Sequence, residues 1–303
     1  MRQGCGELVV EAPAKLNLTL DVTGRRPDGY HEMRSVMQAV DLADVVRLSL
    51  RRGNEIRLRL SDPALPSDGR NTAYKAAALF LQHTGLNHTG VDIAIDKRIP
   101  MQAGMAGGSA DAAAVLVGLN ALTGAGLDRD ALCALGAEVG ADVPFCVLGG
   151  AADATGIGTT LRPISPLPDC TILVVKPPVG VSTARAYALV DGAAVARRPD
   201  ADAMEAALER GSLADVGRLL ENVFEEAMAL PEVAEIREIV AAFPAVGCRM
   251  TGSGSAVFAL FEQATDAAAC AEWLRPRYPQ SWLCRPVGTG ARLLEHHKKE
   301  IER

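Results

Sequence analysis

The sequence predicts an α+β fold in two parts, and three observations carry that prediction. Short runs of alternating apolar and polar residues recur in the N-terminal third, two of them on either side of Gly53-Asn54. Ala-rich stretches with helical spacing are mixed with them, without strict strand–helix alternation. A proline-rich stretch, Arg162 to Asp169 with Pro163, Pro166 and Pro168, is the best candidate boundary.

Leu16-Asn17-Leu18-Thr19-Leu20 alternates as a strand does, with one face buried and the other free, so Lys15, Asn17 and Thr19 share the polar face. Val45 to Leu50 and Ile56 to Leu60 alternate again, and Gly53-Asn54 between them signals a hairpin. Asn71 to Gln82 has helical spacing, and Val91 to Ile95 reads as a strand. A glycine-rich loop, Gly104 to Gly108, leads into a helix ending near Leu122, and a second helix covers Asp128 to Val139. After the break at Gly140-Ala141-Asp142-Val143-Pro144, strands are expected through Leu148 and around Ala151 to Leu161.

Beyond the prolines, Thr171 to Val175 is a strand, and residues 183–242 are mostly helical with an interruption at Arg197-Arg198-Pro199-Asp200. The turn Arg249-Met250-Thr251-Gly252-Ser253-Gly254-Ser255 leads to a strand at Ala256 to Phe261, and a helix covers Ala264 to Leu274. The tail from Ala291 to Arg303 reads as one more helix. There is no internal repeat.

Composition narrows the function. The 303 residues are 49% hydrophobic and 22% charged, which is ordinary for a globular enzyme. A net charge of -6 argues against nucleic acid as the main partner. The seven cysteines, Cys5 among them, are odd in number and contain no C-x-x-C pair, so a reducing compartment fits better than a disulfide framework. Ala112 to Leu122 is too short to span a bilayer, and no apolar signal segment stands at the N-terminus, so a cytoplasmic protein is expected. The five histidines show no metal-ligand spacing, and His296 and His297 are adjacent.

Four features can carry chemistry. The first is Pro100-Met101-Gln102-Ala103-Gly104-Met105-Ala106-Gly107-Gly108-Ser109-Ala110, with a strand before it and a helix after it. Glycines let backbone approach a ligand, and a helix start offers free N–H groups and partial positive charge, an arrangement that binds phosphate. It is neither a Walker A loop nor a G-x-G-x-x-G fingerprint. A plain tight turn with Ser109 as helix N-cap is the structural alternative. The others are Lys15 with Asn17 on one strand face, Asp142 before Pro144, and Gly252-Ser253-Gly254-Ser255. Taken singly, these read better as a solvated sheet face, a helix cap and a β-turn.

Together the four resemble the GHMP kinases, the superfamily of galactokinase, homoserine kinase, mevalonate kinase and phosphomevalonate kinase. Pro100-x-x-x-Gly104-Met105-Ala106-Gly107-Gly108-Ser109 is similar to its glycine loop, and Gly252-Ser253-Gly254 to its C-terminal glycine turn. Pro13-Ala14-Lys15-Leu16-Asn17-Leu18, Arg26-Pro27-Asp28-Gly29-Tyr30-His31, Gly140-Ala141-Asp142-Val143-Pro144-Phe145 and Arg249 to Gly254 resemble a narrower branch. Its members act on a cytidine diphosphate-linked methylerythritol in the non-mevalonate route to isoprenoids. The similarity runs from about residue 9 to 261 and is loose over 183–242.

The resemblance implies a two-domain GHMP kinase fold. Residues 1–163 would form the ATP-binding, ribosomal protein S5 domain 2-like part, and 164–303 a ferredoxin-like α+β part. It implies ATP and Mg²⁺ as cofactors, a small-molecule substrate, a monomer or homodimer, and neither nucleic acid nor membrane as partner. By motif match, Asp142 is the base for a tertiary alcohol and Lys15 the cation beside it. Pro100 to Ala110 would hold the triphosphate, with Ser109 on Mg²⁺ or a phosphate oxygen, and Asn71 and Lys97 would contact the nucleotide. Asn17, Gly252 and Ser253 would meet the substrate; Tyr30, His31 and Tyr187 would form its cytosine slot. Glu138, one turn before Asp142, is equally compatible with solvent. Another superfamily kinase, acting on mevalonate, homoserine or a sugar, stays open, as does an inactive nucleotide-binding regulator. A dehydrogenase lacks its fingerprint.

Overall fold

The computed structural model describes residues 7–193 and 195–294; Cys5, His296, His297 and the tail beyond 294 lie outside the described residues. The chain runs β1 (Leu8–Asn17), β2 (Thr19–Arg25), β3 (His31–Arg52), β4 (Ile56–Leu60), α1 (Thr72–His83), β5 (Thr89–Asp96), α2 (Gly107–Thr123), α3 (Arg129–Val139), α4 (Val143–Leu148), β6 (Ala151–Thr155) and β7 (Thr160–Ile164). It continues as β8 (Thr171–Val175), α5 (Thr183–Gly192), α6 (Ala201–Glu209), α7 (Leu213–Leu219), β9 (Glu221–Asn222), α8 (Val223–Met228), α9 (Pro231–Val240), β10 (Gly247–Met250), β11 (Val257–Phe261), α10 (Ala264–Leu274), β12 (Ser281–Cys284) and β13 (Arg292–Leu293).

The 22-residue β3 organises a nine-stranded sheet, pairing antiparallel with β1, β2, β5 and β6. The remaining strands form a second sheet in the order β10-β11-β8-β12. α2 packs on β1 and β3 and is buried nearly all round through Ala110, Ala112, Ala113, Ala114, Val115, Leu116 and Leu119. Gly118 permits the close approach, since a Cβ there would lie 2.2 Å from Leu48 Cδ1. That packing fixes where the N-terminus of α2 points, and so where the glycine loop sits.

Four expectations change. The polar face is not free: Lys15 and Asn17 on β1 are 4% and 2% exposed, because the glycine loop and the Thr251 turn cover them, and Thr19, which opens β2, is 0% exposed with its Oγ1 accepting from Val36 N–H. The Gly53-Asn54 reversal does not make a hairpin. β5 lies between β3 and β4, antiparallel to the first and parallel to the second, and satisfies backbone groups of both. Residues 143–148 are helix α4, not strand; the short run Val143-Pro144-Phe145-Cys146-Val147 is wholly buried, and such a run has no period to separate the two forms. Where the C-terminal tail is described it is strand β13, captured by the free edge of β1 through Val10↔Leu293 and Glu11↔Arg292.

The division at 163/164, which we propose as the domain boundary, falls within β7. The two parts share their cores: Val36 and Leu48 cluster with Ile172 and Phe258, and Met33 and Phe145 with Leu173 and Phe224. β9 and β13 also return to the large sheet.

Candidate active site

A cavity of about 700 Å³ opens between the end of β1, the glycine loop, the start of α4, the Gly252 turn and α5. Its floor is two facing glycine turns. Gly104 (φ +73°) and Gly252 (φ +56°) are in the left-handed region, and a Cβ on Gly104 would lie 2.1 Å from the Thr251 carbonyl oxygen. Ser255 and Ala256 N–H donate to the Gln102 and Ala103 carbonyls at 3.3 and 3.2 Å, locking the turns together. The same turn also ties to β1, through the bond from Asn17 N–H to Thr251 Oγ1 (3.0 Å) between residues 234 positions apart.

The loop delivers α2 with Ala106 in the N-cap position at φ +59° and no side-chain cap. Ser109 is therefore not the N-cap but lies in the first turn. Ser109 and Ala110 N–H donate to the Ala106 carbonyl, both at 2.9 Å, while those of Gly107 and Gly108 have no intrahelical acceptor. Thr72 Oγ1, at the start of α1, donates to the Gly108 carbonyl (2.6 Å). Together with the helix dipole, these N–H groups make an anion seat.

Lys15 projects from β1 into the same cavity. Its ammonium donates to Asn17 Oδ1 (2.6 Å) and the Gly104 carbonyl (2.9 Å), and Asn17 Nδ2 donates to Ser35 Oγ (2.7 Å). Asp142 stands at the N-cap position of α4 yet makes no capping bond, which leaves its carboxylate available to the cavity it lines. No described ion pair joins Lys15 to Asp142. A Cβ on Gly140 would lie 3.9 Å from Ser109 Oγ, so the Asp142 turn faces the first turn of α2.

Asn17, Asn71, Lys97, the residues from Pro100 to Ser109, Tyr187, Gly252 and Ser253 also line the cavity. Asn71 is in addition the N-cap of α1, accepting from Ala73 N–H (2.9 Å). Ala110 is fully buried and Glu138 exposed, and neither lines it. Tyr30, at 63% exposure, sits on its turn away from the lining. His31 stacks on Tyr187 (centroids 4.5 Å apart, planes at 21°), and Phe224 meets Tyr187 edge-on (4.9 Å). Asp191 Oδ1 is 2.8 Å from His31 Nε2. Burial raises the Tyr187 phenol, with Asp142 adding to it.

Sequence reasoning missed Asp44, Asp111, Thr251 and Asp191. Asp44 and Asp111 had a usable signal, since each interrupts an apolar run. Both pair with Lys97; the two carboxylates are buried and the Lys97 side chain is 9% exposed. Burial drives the Asp111 carboxyl up to about 7, Lys97 opposing and Asp44 adding. Burial works against the Lys97 ammonium, but Asp111 and Asp44 outweigh it and hold its pKa above the ordinary value. Among the described residues no group of three or more His, Cys, Asp or Glu side chains could hold a metal ion. The hard oxygen donors facing the anion seat, Ser109 Oγ and the Asp142 carboxylate, suit Mg²⁺, which takes one or two protein oxygens and completes its shell with phosphate and water.

Comparison with known proteins agrees with this geometry. Residues 71–150 match the GHMP kinases N terminal domain, and residues 204–279 the GHMP kinases C terminal domain. Fold and glycine loop thus define a kinase of the GHMP class. A 4-diphosphocytidyl-2-C-methyl-D-erythritol kinase of Geobacillus kaustophilus is 45% identical over 284 residues, covering 93% of this chain and 97% of that protein. One of Shouchella clausii is 48% identical over 258 residues, covering 84% and 86%. A crystal structure of 4-(cytidine 5'-diphospho)-2C-methyl-D-erythritol kinase superposes with a TM-score of 0.75 at 38% identity, over 93% of this chain and all of that one. Homoserine kinase from Cytophaga hutchinsonii shares the fold (TM-score 0.76) at 20% identity, over 97% and 99%. The chain belongs to the 4-diphosphocytidyl-2-C-methyl-D-erythritol kinase family.

Proposed function

We propose that the protein transfers the γ-phosphoryl group of ATP to the 2-hydroxyl of 4-diphosphocytidyl-2-C-methyl-D-erythritol. One observation carries the reading: Lys15 and Asp142 line the cavity whose floor is the phosphate-seating glycine loop. The acceptor hydroxyl bonds to the γ-phosphorus as the bond to the β–γ bridging oxygen breaks, ADP leaves, and the hydroxyl proton passes to Asp142. A carboxylate is a weak base, but in a loose transition state the proton leaves late, so orientation matters more than basicity. Lys15, fixed by Asn17 and Gly104, offsets charge on the transferring group. The N–H groups of Gly107 and Gly108 hold the β- and γ-phosphates. Mg²⁺ would be held by Ser109, with Asp142 near it, and supplies neutralisation of phosphate charge when bound.

Tyr187 offers a flat face for cytosine, with His31 behind it. The free thiols of the described cysteines support a reducing, cytoplasmic setting. The test is ATP turnover with Mg²⁺ and the cytidylyl compound, and separately with mevalonate, homoserine and galactose. Turnover of the cytidylyl compound alone is expected. Turnover of another alcohol instead would keep the loop assignment and remove the cytosine slot; none at all would leave a nucleotide-binding protein.

A further inference from the structure

The two ends of the glycine loop are tied together beneath it. Asp44, on β3, accepts through Oδ1 from the N–H groups of Arg98 (2.5 Å) and Ile99 (2.8 Å), the residues that carry the chain from β5 into the loop. Its Oδ2 pairs with the Lys97 ammonium. That ammonium also donates to Asp111 Oδ2 (2.7 Å), on the second turn of α2, where the loop has ended. The three side chains are 0%, 9% and 3% exposed. The Lys97 ammonium lies beside the loop's end, since a Cβ on Gly107 would lie 3.5 Å from its Nζ, an ordinary contact.

Lys97 lines the cavity and matches a nucleotide-contacting position, so it has two candidate roles. As a phosphate cation it would act by charge. Its single positive charge, however, is shared by two buried carboxylates, and Asp44 alone neutralises it, so with Asp111 ionised or protonated the cluster presents no net positive charge to an incoming triphosphate. The cluster offers ATP no net attraction; it can help by geometry.

We propose that Asp44, Lys97 and Asp111 form a brace that holds the glycine loop in its phosphate-seating shape, so that Lys97 and Asp111 are positioning residues for the nucleotide. The inference rests on the nucleotide reading of the loop. Asp44 fixes the incoming end to the sheet, and Lys97 links that end to the outgoing helix. Pro100 to Ala106 then span two anchored points.

The experiment is ATP binding by calorimetry, without alcohol substrate, to the wild type, D111A, K97M and the K97M/D111A double variant, with a thermal melt of each. Alanine is used because asparagine would keep an oxygen that accepts from the Lys97 ammonium. The two roles give D111A opposite signs. A brace loses a tie, and ATP binds about tenfold more weakly or worse. A phosphate cation is instead released from a competing carboxylate, and ATP binds more tightly. The double variant is expected to bind no worse than the weaker single, because both changes break one connection. K97M leaves two buried carboxylates without their cation and is the variant most at risk of not folding; D111A leaves a one-to-one pair and decides the question alone. Unchanged or tighter binding by D111A overturns the brace. Absence of ATP binding by the folded wild type removes the nucleotide reading, and the brace with it.

Discussion

The Lys15 ammonium donates to the Gly104 carbonyl across 2.9 Å, which joins the proposed catalytic cation directly to the proposed triphosphate loop. Lys15→Ala should therefore act on both. Without the preorganised charge, kcat is expected to fall about 10²–10³-fold, and KM for ATP to rise because the loop loses a donor on its carbonyl. Steady-state kinetics with each substrate varied in turn checks this; a change in KM alone would make Lys15 a loop anchor only.

Asp142 separates a catalytic role from a capping role. An N-cap aspartate normally bonds a backbone N–H and contributes about 1 kcal/mol, but Asp142 makes no such bond. Asp142→Ala, which removes both the carboxylate and any capping oxygen, should lower kcat by about 10²–10⁴-fold while the melting temperature stays near that of the wild type. A variant that keeps its kcat removes the base assignment, and one that mainly loses stability makes Asp142 a cap after all.

Gly104 and Gly252 tolerate no side chain. A Cβ on Gly252 would lie 2.5 Å from the Gly104 carbonyl oxygen, and both residues have positive φ. Gly104→Ala and Gly252→Ala each combine overpacking with backbone strain, for a cost of about 2–4 kcal/mol. Denaturant unfolding measures the loss. Gly29→Ala is the comparison, since Gly29 also has positive φ (+90°) but an added Cβ meets nothing within 4 Å; its cost should be only the strain.

Much of this was legible in the sequence for local reasons. α10 runs over Ala264–Leu274 as its periodicity predicts, and α1 starts after Asn71 because an asparagine caps it. The glycine loop stood out by its glycines between a strand and a helix, and the Asp142 turn gained a role only through the resemblance to the GHMP kinases. What failed depended on partners distant in the chain. Nothing near Gly53 tells β4 that β5 will separate it from β3, and nothing near Arg292 announces the free edge of β1. The polar face of β1 looked solvated because its covering residue, Thr251, lies 234 positions away. Asp44 and Asp111 drew no reading from the sequence, because Lys97, which joins them, lies 53 and 14 positions away.

The thiols give a test independent of the chemistry. Burial pushes Cys270 up to about 11 and Cys170 up to about 12, and raises Cys146 and Cys284 further still. The thiolate is the reactive form, so at pH 8 none of the four should react in the native protein, and all should react in denaturant. Site-resolved alkylation followed by mass spectrometry reads this directly. Rapid native labelling of Cys146, in α4 behind Asp142, would mean that the cavity wall opens.

Tyr187 should carry more of the cytosine contact than Tyr30. It lines the cavity, its ring stacks on His31, and Phe224 packs against it at a near right angle, whereas Tyr30 is largely in solvent. Stacking of a base on an aromatic face is worth about 1–3 kcal/mol, so Tyr187→Ala should raise KM for the cytidylyl substrate roughly 5- to 150-fold and leave KM for ATP nearly unchanged. Tyr187→Phe keeps the face and should behave like the wild type. Asp191→Ala, which frees His31 Nε2 from its partner at 2.8 Å, should raise the same KM by a smaller factor, because the ring stays stacked while losing its fixed orientation. If Tyr30→Ala proves the costlier change, the base stacks at the turn after Asp28 and Tyr187 serves only to pack α5 against Phe224.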